Sequence, residues 1–416
     1  RTVTGVQTCA LPIWFAAEGV RFTQAYSGST VCAPSRCVLM TGLHTGHAHI
    51  RGNALVPLRP EDTTVAELLK KAGYTTGLVG KWGLGEAEST GAPNKKGFDT
   101  FYGYLNQVHA HNYYPDFLWR NAAKVALPNV ESKAKGVADK RVAYTPDLLL
   151  DEGLKFLDAN KDRPFFLYFA SIVPHANNEK TKADGNGNEI PSDAPYSKED
   201  WPQPEKNKAA MITRLDADVG KLLAKLKELK LDEKTLVIFS SDNGPHQEGG
   251  NKAEFFQSSG PFRGIKRSLT DGGIRMPTLA RWPGVIKPGA TSDHVWMFED
   301  FLPTACDVAG VEVPKGLDGI SILPTLTGKG TQAKHEFVYW EFHESGFKQA
   351  VRHGDWKAIR LATGQSLELY NVAADPHEDK NVAAANPAVV AKIEDYLKTA
   401  RTDSKEFPIT AAKKKK

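Results

Sequence analysis

The segment DTTVAELLKKAGYTTGLVGKWG, residues 62–83, carries the pattern that decides the fold. Its first apolar residues recur at helical spacing, at Val65, Leu68, Leu69 and Ala72. Gly73 stands where such a helix would end, because glycine is the common residue just past a helix C-terminus. A short buried strand over Thr75–Gly80 follows. The segment therefore predicts a helix over Asp62–Ala72 and a strand directly after it.

The same helix-then-strand unit occurs twice more. A helix over Pro146–Asn160 precedes an apolar strand over Phe165–Val173, and a helix over Met211–Lys230 precedes a strand over Thr235–Ser240. Helices that alternate with unbroken apolar strands indicate a parallel sheet covered on both faces. We therefore expect an α/β fold with a mostly parallel central sheet flanked by helices.

The C-terminal part follows a different pattern. Its apolar segments are short, partly alternating and separated by turn signals such as His353-Gly354-Asp355, which is typical of an antiparallel sheet. They cover residues 337–342, 348–352, 356–361 and 366–370. A closing helix is predicted over Pro387–Ala400. This part should form a smaller domain of antiparallel sheet plus helix.

The domain boundary is expected within residues 325–334, where Gly, Lys and Thr cluster. It would separate a catalytic domain over residues 14–330 from an α+β domain over residues 331–416 that ends in a basic tail. Two long, polar and weakly periodic stretches, residues 85–140 and 176–206, are predicted to be surface loops over the site.

Composition excludes several classes of protein. The 416 residues include 53 basic and 49 acidic side chains, so the net charge of +4 is too balanced to favour nucleic acid as a partner. The longest apolar run, Pro164–Pro174, is too short to cross a bilayer. Four cysteines make no disulfide framework. We expect no nucleic-acid partner and no transmembrane segment, and residues 1–13 lack the pattern of a cleavable signal.

Polar residues follow each of the three predicted strands directly, namely Lys81, His175 and the pair Asp242-Asn243. Because ligands of open parallel sheets bind outside the carboxyl ends of the strands, these residues predict one site. Each also has a structural alternative. Lys81 could be a solvated loop lysine, His175 could bind a loop carbonyl, and Asp242-Asn243 could belong to an Asp-Asn-Gly turn. Lys266 lies in a Gly-rich loop and could equally be a surface charge.

Cys32-Ala33-Pro34-Ser35-Arg36 combines a thiol, a rigid proline and an arginine at fixed offsets. A helix is expected to begin at Cys32, with Pro34 in its first turn. The amides and the positive dipole end of such a helix favour an anion beside the thiol. The alternative is a buried structural cysteine, which is a common fate for an isolated cysteine.

Together these motifs resemble the formylglycine-dependent sulfatases of the alkaline-phosphatase superfamily, from about Phe15 to the final helix. The resemblance implies that a maturation enzyme oxidises Cys32 to formylglycine (3-oxoalanine), and that Arg36 holds the formylglycine hydrate. Lys81 and Lys266 match the lysines on the sulfate group and leaving oxygen, and His175 matches the leaving-group histidine. The implied activity is hydrolysis of a sulfate ester of a carbohydrate or aryl group.

The resemblance also implies a metal ion. Asp242 and Asn243 match two ligands of the family's calcium ion, and ligands that offer only oxygen select a hard cation, calcium or magnesium. The family normally adds a pair of Asp on its first strand, whereas residues 1–13 contain no acidic residue. We expect residues 1–13 to be foreign or misread sequence, joined to a sulfatase domain that lacks its first strand. Calcium affinity should then fall, and the activity of this chain should be weak or absent.

A second departure from the family is Gly83, since many relatives place a histidine two residues after the site lysine, where it helps deprotonate the hydrate. His44, His47, His49 and His246 lie near motif residues in the sequence and could substitute. His246, four residues after Asp242, is the candidate we favour. Its alternative role is to orient Asn243 within a metal-binding loop.

Two other functions remain open on the sequence. Related enzymes that use the same formylglycine hydrolyse phosphonates or phosphodiesters, and two site lysines discriminate weakly between such esters and sulfates. A non-catalytic binder of sulfated glycans would use the same cationic cleft, although it would have no use for the oxidisable thiol of Cys32. A periplasmic or secreted location is implied by the family resemblance alone.

Overall fold

The computed structural model describes residues 15–133 and 135–409. The expectations for residues 1–13 and for the basic tail at Lys413–Lys416 lie outside the described residues. The strands are β1 (Val20–Phe22), β2 (Ala25–Tyr26), β3 (Thr75–Lys81), β4 (Thr100–Tyr104), β5 (Phe117–Arg120), β6 (Ala123–Ala126), β7 (Val130–Glu131), β8 (Ala138–Lys140), β9 (Phe165–Ala170), β10 (Val237–Phe239), β11 (Thr278–Arg281), β12 (Ala290–Ser292), β13 (Trp296–Met297), β14 (Val338–Phe342), β15 (Lys348–His353), β16 (Trp356–Arg360) and β17 (Glu368–Asn371). The α-helices are α1 (Cys32–Thr41), α2 (Val65–Lys71), α3 (Thr145–Ala159), α4 (Asn178–Asp184), α5 (Gln203–Glu228), α6 (Asp271–Ile274), α7 (Phe301–Ala309), α8 (Leu323–Thr327) and α9 (Pro387–Leu397).

The first central sheet has the strand order β6-β5-β4-β3-β9. Strand β3 runs parallel to β9, with Thr75 opposite Phe165, and parallel to β4 on its other side. Strands β5 and β6 extend the sheet in antiparallel fashion. The predicted strands at residues 75–80 and 165–173 are therefore confirmed as parallel neighbours, and each follows its predicted helix, α2 or α3.

The third predicted strand exists as β10 but belongs to another sheet, of order β10-β11-β1-β12. Its partner β11 runs antiparallel to it, and β11 is also antiparallel to β1. The expectation of a mostly parallel central sheet is therefore corrected to a mixed one. The periodicity of residues 235–240 identified a buried strand. It could not specify that the partner would be β11, about forty residues further on, or that the two strands would run antiparallel.

Strands β9 and β10 each lie at the edge of their sheet, and within the described residues neither has a second hydrogen-bonded neighbour. Both edges are apolar and only half-buried. Phe165 of β9 and Phe239 of β10 pack against one apolar cluster, which includes Leu157 and Leu223. Apolar edges that stay unpaired are unusual, because their free N–H and C=O groups are able to pair with a further strand.

The polar stretch over residues 85–140 is not merely a surface loop. It contributes β4, four of whose five residues are buried, and β5 and β6 beside it. The sequence Thr100-Phe-Tyr-Gly-Tyr lacks a run of branched apolar residues, so its pattern did not indicate a central strand. The stretch over residues 176–206 contributes α4 and the start of α5. Among the described residues, no helix combines the length and apolar character needed to span a membrane.

The C-terminal sheet is an antiparallel meander of order β14-β15-β16-β17, followed by α9, as the sequence predicts. It packs onto the rest of the molecule through a shared apolar cluster that joins Trp340 and Ile359 of this sheet to Tyr26 and Ile274. The Trp340 indole N–H also donates to the carbonyl of Ser27 at 2.9 Å. The C-terminal sheet thus buries the chain segment that leads into α1.

A buried ion network joins the same two parts. Lys357 Nζ on β16 lies 2.6 Å from Asp271 Oδ1 and 3.0 Å from Glu378 Oε1, and all three side chains are fully buried. The backbone N–H of Asp271 donates to Glu378 at 2.6 Å. Burial would raise the pKa of the Asp271 carboxyl, but the Lys357 ammonium overcomes this and keeps that pKa below its ordinary value. Lys357 is therefore the one cation paired with Glu378 among the described residues, whereas Asp271 is also paired with Arg275 at 3.1 Å.

Replacing Lys357 by Met should lower the free energy of unfolding by about 3–5 kcal/mol, because it leaves the buried Glu378 without a cation and Asp271 with Arg275 alone. Urea titration followed by circular dichroism measures this. The matched control is Lys392→Met, whose exposed pair with Glu336 should be worth less than about 1 kcal/mol. Equal losses in both variants would show that the network does not stabilise the fold.

Candidate active site

Cys32 is the first residue of α1 and is 4% exposed. The preceding residue, Val31, has extended backbone, and no side chain caps the helix. The N–H of Ala33 donates instead to Asn53 Oδ1 at 3.0 Å. The Cys32 thiol lies 3.8 Å from Asn243 Oδ1. The predicted helix start is confirmed, and the thiol stands at the end of the helix where an anion is favoured.

Arg36, one turn further along α1, connects three elements of the fold. Its guanidinium contacts the Asp242 carboxylate beyond β10 through Nε at 3.0 Å and through NH2 at 2.9 Å. Its NH1 donates to the carbonyl of Lys81 at the end of β3. Burial would raise the pKa of Asp242, but the Arg36 and Lys81 cations overcome this and hold that pKa below its ordinary value. Asp242 is therefore ionised and paired at neutral pH.

Lys81 is the last residue of β3 and is 3% exposed. Burial lowers the pKa of its ammonium group, although the Cys32 and Asp242 side chains oppose that effect. Among residues 15–133 and 135–409 it has no ion-pair partner. The neighbouring Gly80 has φ of +115°, and a Cβ there would lie 2.0 Å from the carbonyl oxygen of Ala170. Glycine therefore lets β3 and β9 stay close where they deliver their site residues.

His175, beyond β9, meets Lys266 from the Gly-rich loop. The Nδ1 of His175 lies 2.7 Å from the carbonyl oxygen of Ala176, so Nδ1 carries the proton and Nε2 is the acceptor. Lys266 Nζ lies 3.2 Å from that Nε2. Burial, followed by the charges of Lys266 and Lys81, lowers the pKa of His175 well below its ordinary value. The imidazole is therefore neutral, and Lys266 is the donor of the pair.

Glu248 is a site residue that the sequence did not reveal. Its carboxylate accepts from Lys266 Nζ at 2.6 Å, pairs with Arg267, and lies 4.0 Å from His175 Nε2. Burial would raise its pKa, but the Lys266 and Arg267 cations lower it to about 2. Glu248 lies in a polar loop without periodicity, so only its closeness in sequence to Asp242 could have drawn attention to it. In this structure it is the counter-charge of the cleft.

His111 and Glu179 were also missed by the sequence reasoning, because both lie in stretches predicted to be loops. The His111 ring stacks on the His175 ring with a centroid distance of 5.0 Å and an interplanar angle of 11°. Its Nδ1 lies 3.0 Å from Glu179 Oε2. The stacked His111 ring, held by Glu179, restricts the plane of the His175 ring.

His246 lies next to His175, with ring centroids 5.6 Å apart, but its hydrogen bonds point elsewhere. Its Nδ1 accepts from the N–H of Glu248 at 3.1 Å. Its Nε2 lies 2.9 Å from the carbonyl oxygen of Pro174 and 2.7 Å from Lys208 Nζ. None of these contacts reaches Cys32, so the role of His246 in deprotonating a hydrate stays a prediction.

Two of the other three candidate histidines, His44 and His47, lie beyond the opposite end of α1, about 15 Å along the helix from Cys32; the role of the third, His49, stays a prediction. With Asp318, His44 and His47 bring three possible metal-binding atoms within 4.8 Å of one another. Hydrogen bonds already account for this cluster. His44 Nδ1 accepts from the N–H of Gly46 at 3.1 Å, which places the proton of the neutral ring on Nε2, facing Asp318. His47 Nδ1 lies 2.9 Å from the same carboxylate. The cluster closes the turn after α1.

The residues matched to the calcium site offer the type of ligand that a hard cation prefers, but too few of these ligands. Asp242 and Asn243 offer oxygen ligands beside Cys32, as calcium prefers. Calcium takes six to eight oxygen ligands, whereas Asp242 is already paired with Arg36 and Asn243 offers a single amide oxygen, which faces the Cys32 thiol. The described residues of this cleft do not complete a calcium site.

Comparison with known proteins identifies relatives of this chain. The sequence profile of the family described as Sulfatase matches residues 13–311, and one described as N-sulphoglucosamine sulphohydrolase, C-terminal, matches residues 263–404. Human Arylsulfatase A is 30% identical over 90% of this chain and 74% of its own length. Mouse N-acetylgalactosamine-6-sulfatase is 30% identical over 88% of this chain and 70% of its own length.

Solved structures show the same similarity. The crystal structure of Ps i-CgsB in complex with k-i-k-neocarrahexaose aligns with a TM-score of 0.77 and 27% identity, covering 93% of this chain and 86% of that one. The phosphonate monoester hydrolase of Silicibacter pomeroyi aligns with a TM-score of 0.68 at 19% identity, covering 100% of this chain and 96% of that one, which shows a shared fold. The expected alkaline-phosphatase-like architecture is confirmed.

Replacing Glu248 by Gln should strengthen the binding of inorganic sulfate about tenfold, because it removes the carboxylate that occupies Lys266 and Arg267. Isothermal titration calorimetry measures the dissociation constant. Glu254→Gln, an exposed neighbour, is the control and should leave it unchanged. Sulfate binding that stays equal or weakens in Glu248→Gln would mean that Glu248 does not compete with an anion in this cleft.

Proposed function

This chain belongs to the sulfatase family of sulfuric ester hydrolases, and on that premise we propose that its substrate is a sulfate ester of a carbohydrate. The observation that carries the proposal is the buried ammonium of Lys81, which has no ion-pair partner among the described residues and lies beside Cys32 and Arg36. Sugar names among the relatives support a carbohydrate: N-acetylgalactosamine-6-sulfatase, and the structure bound to a neocarrahexaose.

The cleft is suited to a singly charged ester. A sulfate ester carries one negative charge, and Lys81, Lys266 and the N-terminal amides of α1 converge on the region beside Cys32. In a site largely shielded from water such cations stabilise developing negative charge far better than they would in solution. Glu248 balances Lys266 and Arg267 until an anion arrives.

We assign the nucleophile to formylglycine formed from Cys32. If formed, that residue at the start of α1 would supply two hydroxyls as its hydrate, one as the nucleophile and one for the release of sulfate, which would divide one difficult step into two. Arg36, held by Asp242, fixes the position of this residue at the start of α1. The proton for the leaving alcohol is held on Lys266 Nζ, because the pKa of His175 is too low for its ring to carry that proton.

We propose further that this chain binds calcium weakly and turns over slowly. Asp242 is the one carboxylate that the described residues bring to the Cys32 end of the cleft, and Arg36 already neutralises it. The chain continues from the unpaired edge strands β9 and β10 to His175 and Asp242, so a further parallel strand between these edges would deliver additional ligands beside them. Residues 1–13 contain no acidic side chain to act in that position.

Calorimetric titration with calcium should give a dissociation constant weaker than about 1 mM, since site strength follows the charge and number of ligands. Asp242→Asn is the matched variant. Any small binding heat that comes from calcium at this site should be absent in that variant. Micromolar binding that is lost in Asp242→Asn would contradict the proposal.

Mass spectrometry of the chain expressed with a formylglycine-generating enzyme should find Cys32 converted to formylglycine. Cys37, in the same helix but fully buried, is the internal control; burial raises the pKa of its thiol to about 12, so it should stay unmodified. An intact Cys32 thiol after such expression would favour the non-catalytic binder of sulfated glycans.

The converted protein should then hydrolyse 4-nitrophenyl sulfate faster than the matching phosphodiester of 4-nitrophenol, and Cys32→Ala should abolish both reactions. The comparison uses one leaving group, so it reports the preference for the ester itself. A faster phosphodiester reaction would identify the phosphonate and phosphodiester hydrolases as the better description.

A further inference from the structure

Lys208 of α5 is a buried lysine that contacts the loops after β9 and β10. Its Nζ lies 2.7 Å from the carbonyl oxygen of Pro174 and 2.7 Å from His246 Nε2. His246 Nε2 lies 2.9 Å from the same carbonyl oxygen. Lys208 is 8% exposed, and in the described part of the chain it forms no ion pair. The reaction described above gives this lysine no role.

The hydrogen bonds of His246 fix which ring nitrogen carries a proton. Its Nδ1 accepts from the N–H of Glu248 at 3.1 Å. Burial lowers the pKa of the His246 ring, so the ring is neutral at physiological pH. A neutral imidazole has one N–H donor and one acceptor nitrogen. The proton of this ring is therefore on Nε2, which makes Nε2 a donor.

A donor at His246 Nε2 requires an acceptor on Lys208. An ammonium group has three donors and no acceptor, so it would set two donors against each other at 2.7 Å. A neutral amine fits the geometry, because its lone pair accepts from Nε2–H while one of its own N–H groups donates to the Pro174 carbonyl. The hydrogen bonds therefore describe the uncharged form of Lys208.

The surroundings of Lys208 allow it to lose its proton near neutral pH. Burial, followed by the charge of Lys266, lowers the pKa of Lys208 to about 7, although Glu205 and Glu248 oppose this effect. The charged and titratable side chains that face Lys208 and His246 are Glu205 of the same helix and, from the loops, His175, Glu248 and Lys266. Both the amine and the ammonium are therefore populated at physiological pH.

Protonation of Lys208 reverses the hydrogen bonds of His246. The proton comes from solvent, and the new ammonium donates to the Pro174 carbonyl and to His246 Nε2. Nε2 accepts only after the ring proton has moved to Nδ1, a change of tautomer that keeps the ring neutral. The Nδ1–H then faces the N–H of Glu248, so the hydrogen bond between them is lost. The net change is one proton gained by Lys208 and one backbone hydrogen bond lost by Glu248.

We propose that Lys208 and His246 form a proton switch that controls how firmly Glu248 occupies the cations of the cleft. With neutral Lys208 the backbone of Glu248 is held, and its carboxylate stays on Lys266 and Arg267. With protonated Lys208 that hold is released, and an anion displaces the carboxylate more easily. Lys208 is a positioning residue, which acts on the anion site through His246 and Glu248. The effect on anion binding rests on the proposed function, whereas the tautomer change does not.

The tautomer of His246 is measured by proton–nitrogen correlation spectra of the chain labelled in its histidines, since these show which ring nitrogen carries the proton. His246→Gln identifies the signal by its loss. Between about pH 8.5 and about pH 5.5 the unaltered chain should pass from the Nε2–H to the Nδ1–H form, as Lys208 gains its proton. Lys208→Met should keep the Nε2–H form throughout. Lys227→Met, exposed on the same helix, is the matched control and should behave as the unaltered chain.

The effect on the cleft is measured as the dissociation constant of inorganic sulfate at the same two pH values, by calorimetry. Sulfate should bind more tightly at the lower pH, and this pH effect should be about fivefold larger in the unaltered chain and Lys227→Met than in Lys208→Met. Burial also lowers the pKa of the Lys81 ammonium. Because Lys81 is present in every variant, the difference between the variants reports Lys208 alone.

A His246 tautomer that stays constant over this pH range, or that still changes in Lys208→Met, would overturn the inference. So would a pH effect on sulfate binding that is equal in Lys208→Met and Lys227→Met. If Lys208→Met fails to fold, Lys208→Arg replaces it: a guanidinium stays charged at both pH values, so His246 should keep the Nδ1–H form throughout. Failure of sulfate to bind the unaltered chain would count instead against the proposed function, while the spectra would still test the switch.

Discussion

The contact between the Arg36 guanidinium, the Asp242 carboxylate and the Lys81 carbonyl is the interaction on which the site depends. It joins α1, the end of β3 and the residues after β10. The two central sheets share no strand among the described residues, so their carboxyl ends are not aligned by ladder hydrogen bonds. A planar guanidinium with several donors in a fixed geometry can hold a carboxylate and a carbonyl together. Through this contact Cys32, Lys81 and Asn243 come to one place.

The sequence predicted the parts of this arrangement that depend on local pattern. Strands β3 and β9 each come after an amphipathic helix, and Lys81 and His175 stand at or just beyond their carboxyl ends as expected. The pairing of β10 was not predictable, since its partner is distant and its three residues do not specify a direction. Glu248 and His111 were missed for the same reason, because their places depend on tertiary contacts of polar loops rather than on periodicity.

Charge balance explains how so many cations can stay buried in one cleft. Asp242 pairs with Arg36, Glu248 pairs with Lys266, and Arg267 is shared by Glu248 and Glu344, while Lys81 has no carboxylate of its own. His175 stays neutral because burial and the nearby lysines disfavour a further positive charge. The result is a cleft with one unbalanced ammonium group beside a helix N-terminus, which suits a monoanion.

The claim that this cleft binds the sulfate group of an ester is tested most directly by a crystal structure of the chain soaked with inorganic sulfate. The account predicts sulfate density beside Cys32, in contact with the ammonium groups of Lys81 and Lys266, with Glu248 displaced from Lys266. A structure at saturating sulfate in which this position holds only water, and Glu248 still pairs with Lys266, would contradict it.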